Sequence, residues 1–513
     1  MYEIDNFKVS PINLDLEKEI KNRFHLNKFS YDILHRSIDA RDKDDIKIVY
    51  RLIIDTTEKI SGKNVKKYVD NTPKLTYPTW NSPSPVIVGF GPAGMFAGLY
   101  LARCGAKPII IERGSRIEKR KEEINKFFQD KKLNPNSNVQ FGEGGAGTFS
   151  DGKLNSNVKD PLIKFILNEF YLHGALQDIT YDNRPHIGTD YLEKVVKNIR
   201  IEIESLGGTF YFNHQFVKTT KDLNVEVLDL NTNEIKTFKT NHLILGIGHS
   251  ARDTFKYLYE ELGLNMEAKS FSMGVRCEHN AKKINESQYG KFAKYLPTAY
   301  YKLATHMEDR GIYSFCMCPG GYVLPSTSED GTIVLNGMSN QKRDGENSNS
   351  AILVDVKVSD YYKDNVLDGF KFQELYERKA FLRSNDYKAP ANLMKEFLNG
   401  DVAKTERSIK TSYPHGVCMC DITDTLPDFV TDSLKKALPV FNEKLEGFTD
   451  DDAILISIES RSSSPVRILR DSSRVSSIPG IYPIGEGAGY AGGITSSALD
   501  GLKTAIKIVE DNK

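Results

Sequence analysis

Gly89, Gly91 and Gly94 follow the apolar run Val86-Ile87-Val88 in the order G-x-G-x-x-G, and Glu112 stands eighteen residues beyond the last of them. The chemistry this spacing supports is capture of a dinucleotide. Gly89 permits a tight turn, Gly91 lets backbone approach a pyrophosphate, and Gly94 lets the next helix lie close against the strand. Glu112 ends a second apolar strand, Ile109-Ile110-Ile111, where such a unit places the acid for a ribose hydroxyl. Gly98, one turn beyond Gly94, is expected to extend the close packing. Strand, turn, helix, strand and acid occur in the required order, which a chance glycine turn would not produce.

Two further glycine stretches carry the same theme. Gly142–Lys153 holds five glycines in twelve residues, too many for a helix or a regular strand. Its backbone can offer successive N–H groups to an anion or a ring edge, and Thr148, Ser150, Asp151 and Lys153 make it a ligand loop. Near the end of the chain, Gly485-Glu486-Gly487 follows a short strand, and Gly492-Gly493-Ile494 opens a final helix. That helix N-terminus can stabilise negative charge on a ring carbonyl, and Glu486 can bond a chain of hydroxyls. Leu243–Gly248 has the outline of a second fingerprint, G-x-G-x-x-A through Gly246, Gly248 and Ala251. No acid-capped strand follows it, so a strand returning to the first site is expected.

The thiols are the other reactive groups. Cys316-Met-Cys318 runs into Pro319-Gly320-Gly321, and Cys418-Met-Cys420 lies about a hundred residues on. Two such pairs invite a four-thiolate zinc or iron–sulfur reading. The C-x-C spacing fits better with side chains at i and i+2 packing inward from one strand face, so no metal is assigned. Cys318 is the candidate catalytic residue. His249, His415 and Tyr413 are candidate proton donors, and His186, beside a proline turn, reads as structural. No Ser-His-Asp order, H-E-x-x-H or P-loop is present.

These residues need elements to hold them. Residues 1–75 read as a small α+β domain: Leu16, Ile20 and Phe24 recur at helical spacing, and Ile46–Ile54 is rich in β-branched residues. Ser37–Arg41 reads as a solvated turn with a local ion pair. Four prolines between Asn71 and Pro85 mark an extended linker. Residues 76–264 form the first part of the dinucleotide domain, with helices over Ser115–Lys132, Pro161–Tyr171 and Tyr191–Leu206. Residues 265–450 read as an inserted α+β domain, and 451–513 return to the first. The fold class is α/β, a Rossmann-type domain with an inserted substrate domain and a small N-terminal one.

Composition narrows the functions. The chain has 513 residues, 39% apolar and 27% charged, typical of a globular protein of two or three domains. Lys+Arg and Asp+Glu both number 69, which argues against a broadly basic nucleic-acid binder. No apolar run is long enough to span a membrane, the N-terminal residues show no export signal, and six cysteines do not make a disulfide framework. A cytoplasmic location is expected.

Val86–Glu112, Leu243–Gly248 and Gly480–Gly501 together resemble the three-part FAD signature of glutathione-reductase-2-type flavoproteins, which are related to geranylgeranyl-reductase-like flavoproteins. Phe141–Leu154, Cys316–Gly321, Arg461–Arg467 and Ser37–Arg41 make the chain more closely similar to a family of poorly characterised bacterial FAD-dependent dehydrogenases. The resemblance implies that Gly89, Gly91, Pro92, Ala93 and Gly94 meet the FAD pyrophosphate and that Glu112 and Arg113 lie at the adenosine. It places Gly144, Gly145, Gly147, Thr148 and Ser150 along the flavin, with Gly248 and Gly485 beside the cofactor. Glu486 stands where an aspartate usually binds the ribityl chain, and Gly493 and Ile494 lie by the pyrimidine edge. Cys318-Pro-Gly-Gly matches a substrate-side wall.

The expected function is an FAD-dependent oxidoreductase, passing a hydride or electron pair through a non-covalently bound flavin to or from a small molecule or redox partner. With no second dinucleotide domain, NAD(P)H would act as a transient donor, or a protein carrier would supply the electrons. The small N-terminal domain leaves a flavin-dependent RNA-modifying enzyme as an alternative. A non-catalytic, redox-sensing flavoprotein is another.

Overall fold

Val86–Val88 is the middle strand of a five-stranded parallel sheet. Across the sheet the order is Ile481–Pro483, Leu243–Leu245, Val86–Val88, Ile109–Glu112 and Thr209–Phe212. The structure is a computed structural model and describes residues 1–70, 72–400 and 410–512. Both faces of this sheet are covered, which is why its strands read as unbroken apolar runs. Ile87, Ile110 and Ile244 pack on one face under the helices Pro92–Arg103, Thr189–Ser205 and Ile494–Asp511. Val86, Val88, Leu243 and Leu245 pack on the other against Phe216, Val225 and Val227 of an antiparallel three-stranded sheet.

The fingerprint helix approaches its strand very closely. A Cβ on Gly94 would stand 2.0 Å from the Gly89 carbonyl oxygen, and one on Gly501 would stand 2.0 Å from that of Ala93. Helices Pro92–Arg103 and Ile494–Asp511 therefore pack backbone to backbone through small residues. Gly98 does not share this role. Its Cβ would meet only side-chain methyls at 3.5 Å or more, an ordinary contact.

A seven-stranded mixed sheet forms the second core. Its order is Ala304–Met307, Arg310–Cys318, Asn347–Val356, Phe271–Asn280, Ile454–Glu459, Ala389–Leu393 and Val417–Met419. The helix Asp428–Lys444 packs into that core through Val430, Leu434 and Phe441. The expected domain end at residue 450 falls short of this sheet, because Ile454–Glu459 pairs with both Phe271–Asn280 and Ala389–Leu393.

The N-terminal residues form a four-stranded antiparallel sheet with the helix Leu16–Phe24 against it. Ser37–Asp39 is not a turn but the end of the strand Ser30–Asp39, since its pairing with Lys47–Asp55 continues to Asp39. The local ion pair is there, Asp39 with Arg41 at 2.7 Å. Arg36 joins this unit to the segment Tyr181–Asn183. Its N–H donates to the Tyr181 carbonyl and its carbonyl accepts from the Asn183 N–H, both at 2.8 Å. Its guanidinium meets Asp182 with two bonds of 2.6 Å. Ile46, with Ile38 and Ala40, packs instead on the core of the seven-stranded sheet. Asn71, the first residue of the expected linker, lies outside the described residues. From Thr72 to Pro85 the chain forms no helix or strand, and Trp80 donates its N–H to the Cys104 carbonyl at 3.0 Å.

Candidate functional site

The glycine stretches converge on one cavity of about 490 Å³ between the two large sheets. Gly89, Gly91, Pro92 and Ala93 line it from the fingerprint, and Glu112 and Arg113 from the next strand end. Gly145, Gly147 and Ser150 come from the glycine-rich loop, and Gly248 from the returning strand. Gly485, Glu486, Gly493 and Ile494 close the end beneath the final helix, and Cys318 faces in from the seven-stranded sheet. Gly94, Gly144 and Thr148 stand behind the lining. Gly94 makes the helix–strand approach, and Gly144 packs on Thr148, whose Oγ1 a Cβ there would meet at 2.1 Å.

Each glycine turn is held by charge. Glu112 accepts three backbone N–H groups, from Phe90 at 2.9 Å, Gly114 at 3.0 Å and Gly142 at 2.9 Å. The acid assigned to a ribose is thus first a clamp tying the fingerprint to the second glycine loop. Arg120, fully buried, shapes that loop by donating to the carbonyls of Asn138, Val139, Glu143 and Gly145 at 2.7–3.0 Å. Glu143 in turn pairs with Arg200 at 2.7 Å. Arg113 pairs with Asp253 at 2.5 Å and lies over the Phe141 ring. Glu486 pairs with His249 Nδ1 at 3.3 Å, and the buried Nε2 of His249 has no protein partner.

The wall opposite the glycines is a charged layer around two thiols. Arg276 is completely buried in the strand Phe271–Asn280 and pairs with Glu459 at 2.7 Å. It also donates to Asn349 Oδ1 at 2.8 Å and to the Cys316 carbonyl at 2.7 Å. The Cys318 thiol donates to the same carbonyl at 3.2 Å, and Lys153 Nζ stands 3.9 Å from its sulfur. Lys153 also pairs with Asp151 at 3.3 Å, and Asp151 accepts from Arg343 Nε at 2.9 Å and from Ser339.

Cys316 has φ +41° and the strand register shifts between Phe315 and Cys318, so the ladder is irregular there, although the two thiols still share one side. Cys316 and Cys318 both line the cavity instead of packing as apolar core. Burial pushes the Cys316 thiol up to about 12. It also raises Cys318, against the pull of Lys153 and Arg276, so both are neutral thiols at ordinary pH. Lys153 remains an ammonium: burial opposes its charge, but the Asp151 carboxylate holds it above the usual lysine value.

Cys418 and Cys420 sit at the far edge of the seven-stranded sheet, with four strands between them and the other pair. Among the described residues, no group of three or more His, Cys, Asp or Glu side chains is arranged to hold a metal ion. His415 and Tyr413 lie in an aromatic cluster with Phe127 and Tyr387, outside the cavity lining, and bond to main-chain carbonyls. His186 donates its Nε2–H to the Gln341 carbonyl at 2.9 Å. Of the candidate proton donors, only His249 reaches the cavity. Sequence reasoning missed Arg276, Glu459 and the pair Arg461–Glu377. The available clue was a charge inside an apolar strand, Val-Arg-Cys in one case and Ile-Glu-Ser in the other.

Residues 270–462 match the family model described as "FAD-dependent protein, C-terminal domain-like". A protein of Clostridium beijerinckii described as uncharacterized is 43% identical to this chain, over 98% of each. The chain belongs to that protein's family. Among solved structures, the chain is similar to halogenase PltM (12% identity, TM-score 0.39, 84% of this chain and 69% of that one). It is also similar to the Bacillus halodurans glycerol-3-phosphate dehydrogenase complexed with FAD (11% identity, TM-score 0.36, 84% and 64%). Likenesses this distant carry no weight for function. No helix among the described residues is long and apolar enough to cross a membrane.

Proposed function

We propose that the cavity binds FAD non-covalently and that the protein is an FAD-dependent oxidoreductase, with residues 265–450 and the strand Ile454–Glu459 forming its substrate-side domain. The observation that carries this reading is the meeting of three separate glycine turns on one cavity, two of them at helix N-termini. The fit is favourable at both helix ends. A Cβ on Gly91 would meet nothing nearer than 3.8 Å, and Cβ atoms on Gly492 and Gly493 would meet nothing within 4 Å. These glycines leave space that the protein itself does not fill. The first N–H groups of each helix lack intrahelical acceptors and favour an anion there.

Bound FAD would supply two-electron hydride chemistry. The chain's own residues bind it, orient it and select what approaches. Gly91 and Pro92 would hold the pyrophosphate, and Glu112 with Arg113 would border the adenosine. His249, oriented by Glu486, offers an unused ring nitrogen to the polar chain between the two ends. Lys153 holds a positive charge at the wall, and neutral Cys318 donates its proton to the Cys316 carbonyl and so acts as a fixed wall residue. NAD(P)H as a transient donor and the glutathione-reductase-2 relationship are parts of the same proposal.

Protein purified without added cofactor should be yellow, release FAD on denaturation, and lose its visible absorbance under anaerobic NADPH, NADH or dithionite. Oxygen should restore the colour. A colourless protein that does not take up added FAD would refute the proposal.

A further inference from the structure

Beyond the glycine turns, the cavity lining carries cations that its carboxylates do not balance. Leu154 donates its N–H to the Pro185 carbonyl at 2.9 Å, and Lys153 bridges antiparallel to His186. That register sets Asn155 opposite Arg184, so Lys153, Asn155 and Arg184 point to one side, and all three line the cavity. Facing them, Ser314 donates its N–H to the Leu303 carbonyl at 2.8 Å, which places Lys302 directly across from Phe315. Lys302, Tyr300 and Phe315 line the same cavity. The Arg184 guanidinium lies 4.5 Å from the Tyr300 ring centroid.

The carboxylates of the cavity do not answer these cations. Asp151 is held by Arg343, Ser339 and Lys153, and Glu459 by Arg276. Glu112 is occupied by three backbone N–H groups and Glu486 by His249. Among the described residues, Arg184 and Lys302 pair with no carboxylate. Two exposed cations and a half-neutralised lysine therefore surround a space walled by two aromatic rings. Such a concave, one-signed rim concentrates anions.

We infer that this part of the cavity binds the carboxylate of a planar, unsaturated or aromatic acid, with Arg184 and Lys302 taking the carboxylate and Tyr300 and Phe315 flanking the apolar body. The inference names a substrate class for the proposed flavin site and in that respect rests on it. The planar, forked guanidinium of Arg184, stacked on Tyr300, matches a carboxylate better than a point charge would. Asn155 supplies a polar contact at the same rim.

The test is calorimetric titration of the full-length protein as isolated, its FAD content first measured from visible absorbance. The probes are benzoate and cinnamate, each against its neutral amide. The acids should bind about tenfold more tightly than the amides, and the preference should shrink as salt rises. It should vanish in the double variant Arg184→Ala, Lys302→Ala, whose FAD content should be unchanged. Failure of both acids to bind, equal binding of acid and amide, or undiminished preference in the double variant would overturn the inference. A protein that neither contains nor takes up FAD, yet still prefers the acids through these two residues, would refute the flavin function and leave the anion site standing.

Discussion

Arg461 and Glu377 meet edge to edge, Nε to Oε1 at 3.0 Å and Nη2 to Oε2 at 2.8 Å. Arg252 grips the same carboxylate from another side at 2.9 and 3.1 Å. Arg461 also donates to Ser250 at 3.1 Å and Ser328 at 2.7 Å. The turn after Gly248 is thereby tied to the helix Asp368–Leu382 of the other large unit, and the cavity lies beside this joint. Burial alone would raise the Glu377 carboxyl, but the two guanidiniums hold it well below the usual range.

Glu377→Gln should destabilise the protein by about 3–5 kcal/mol, because it leaves Arg461 and Arg252 buried against an uncharged amide. Chemical denaturation would measure the loss. A change below about 1 kcal/mol, the value of an exposed pair, would show that water reaches this joint.

Gly91→Ala tests the cofactor proposal with little risk to the fold. The backbone there has φ −77°, which alanine adopts freely, and a new Cβ would touch nothing nearer than 3.8 Å. Stability without cofactor should change by only a few tenths of a kcal/mol, as for other cap substitutions of this kind. FAD affinity should fall about tenfold or more, the effect of a methyl group forced into a filled space. Unchanged FAD affinity by fluorescence titration would remove the fingerprint from the site.

Cys316 and Cys318 should resist alkylation near neutral pH. With Cys316 pushed up to about 12, its thiolate fraction near pH 8 lies roughly a thousandfold below that of a free cysteine. Iodoacetamide labelling followed by mass spectrometry should modify both slowly and speed up as the pH rises. Rapid labelling of Cys318 at pH 7 would instead reveal an activated nucleophile.

Asp151 sets an acid limb. Burial disfavours its charge, but Lys153 and Arg343 outweigh that and hold the folded carboxyl below its unfolded value of about 4. Its stabilising contribution is therefore complete above about pH 4 and is lost as the pH falls toward the folded value. Urea midpoints should decline through that range in the wild type, and Asp151→Asn should flatten the decline while lowering stability at neutral pH.

Arg36→Ala should loosen the N-terminal sheet without emptying the cavity. The side chain is partly exposed, so the loss should be about 1 kcal/mol. Hydrogen exchange in residues 30–55 should accelerate, while FAD content stays constant. A matching loss of FAD would show that the N-terminal unit shapes the cavity.

The order of elements around Gly89, Gly91 and Gly94 was legible because every constraint is local. A strand, a turn that needs glycine and a helix that must pack closely follow one another within a few residues. Residue type and spacing were enough to read the parallel sheet with its glycine turn, the glycine loop and the final helix. What only the tertiary structure decided joins residues far apart in the chain. Arg276 with Glu459, Arg461 with Glu377 and Lys153 with Cys318 leave no local pattern, because the partner of a buried charge is chosen by how the sheets pack. The side that Cys316 and Cys318 face is of the same kind. Spacing put the two thiols on one face of a strand, but only the packing of the sheets decided that this face borders the cavity and not the apolar core.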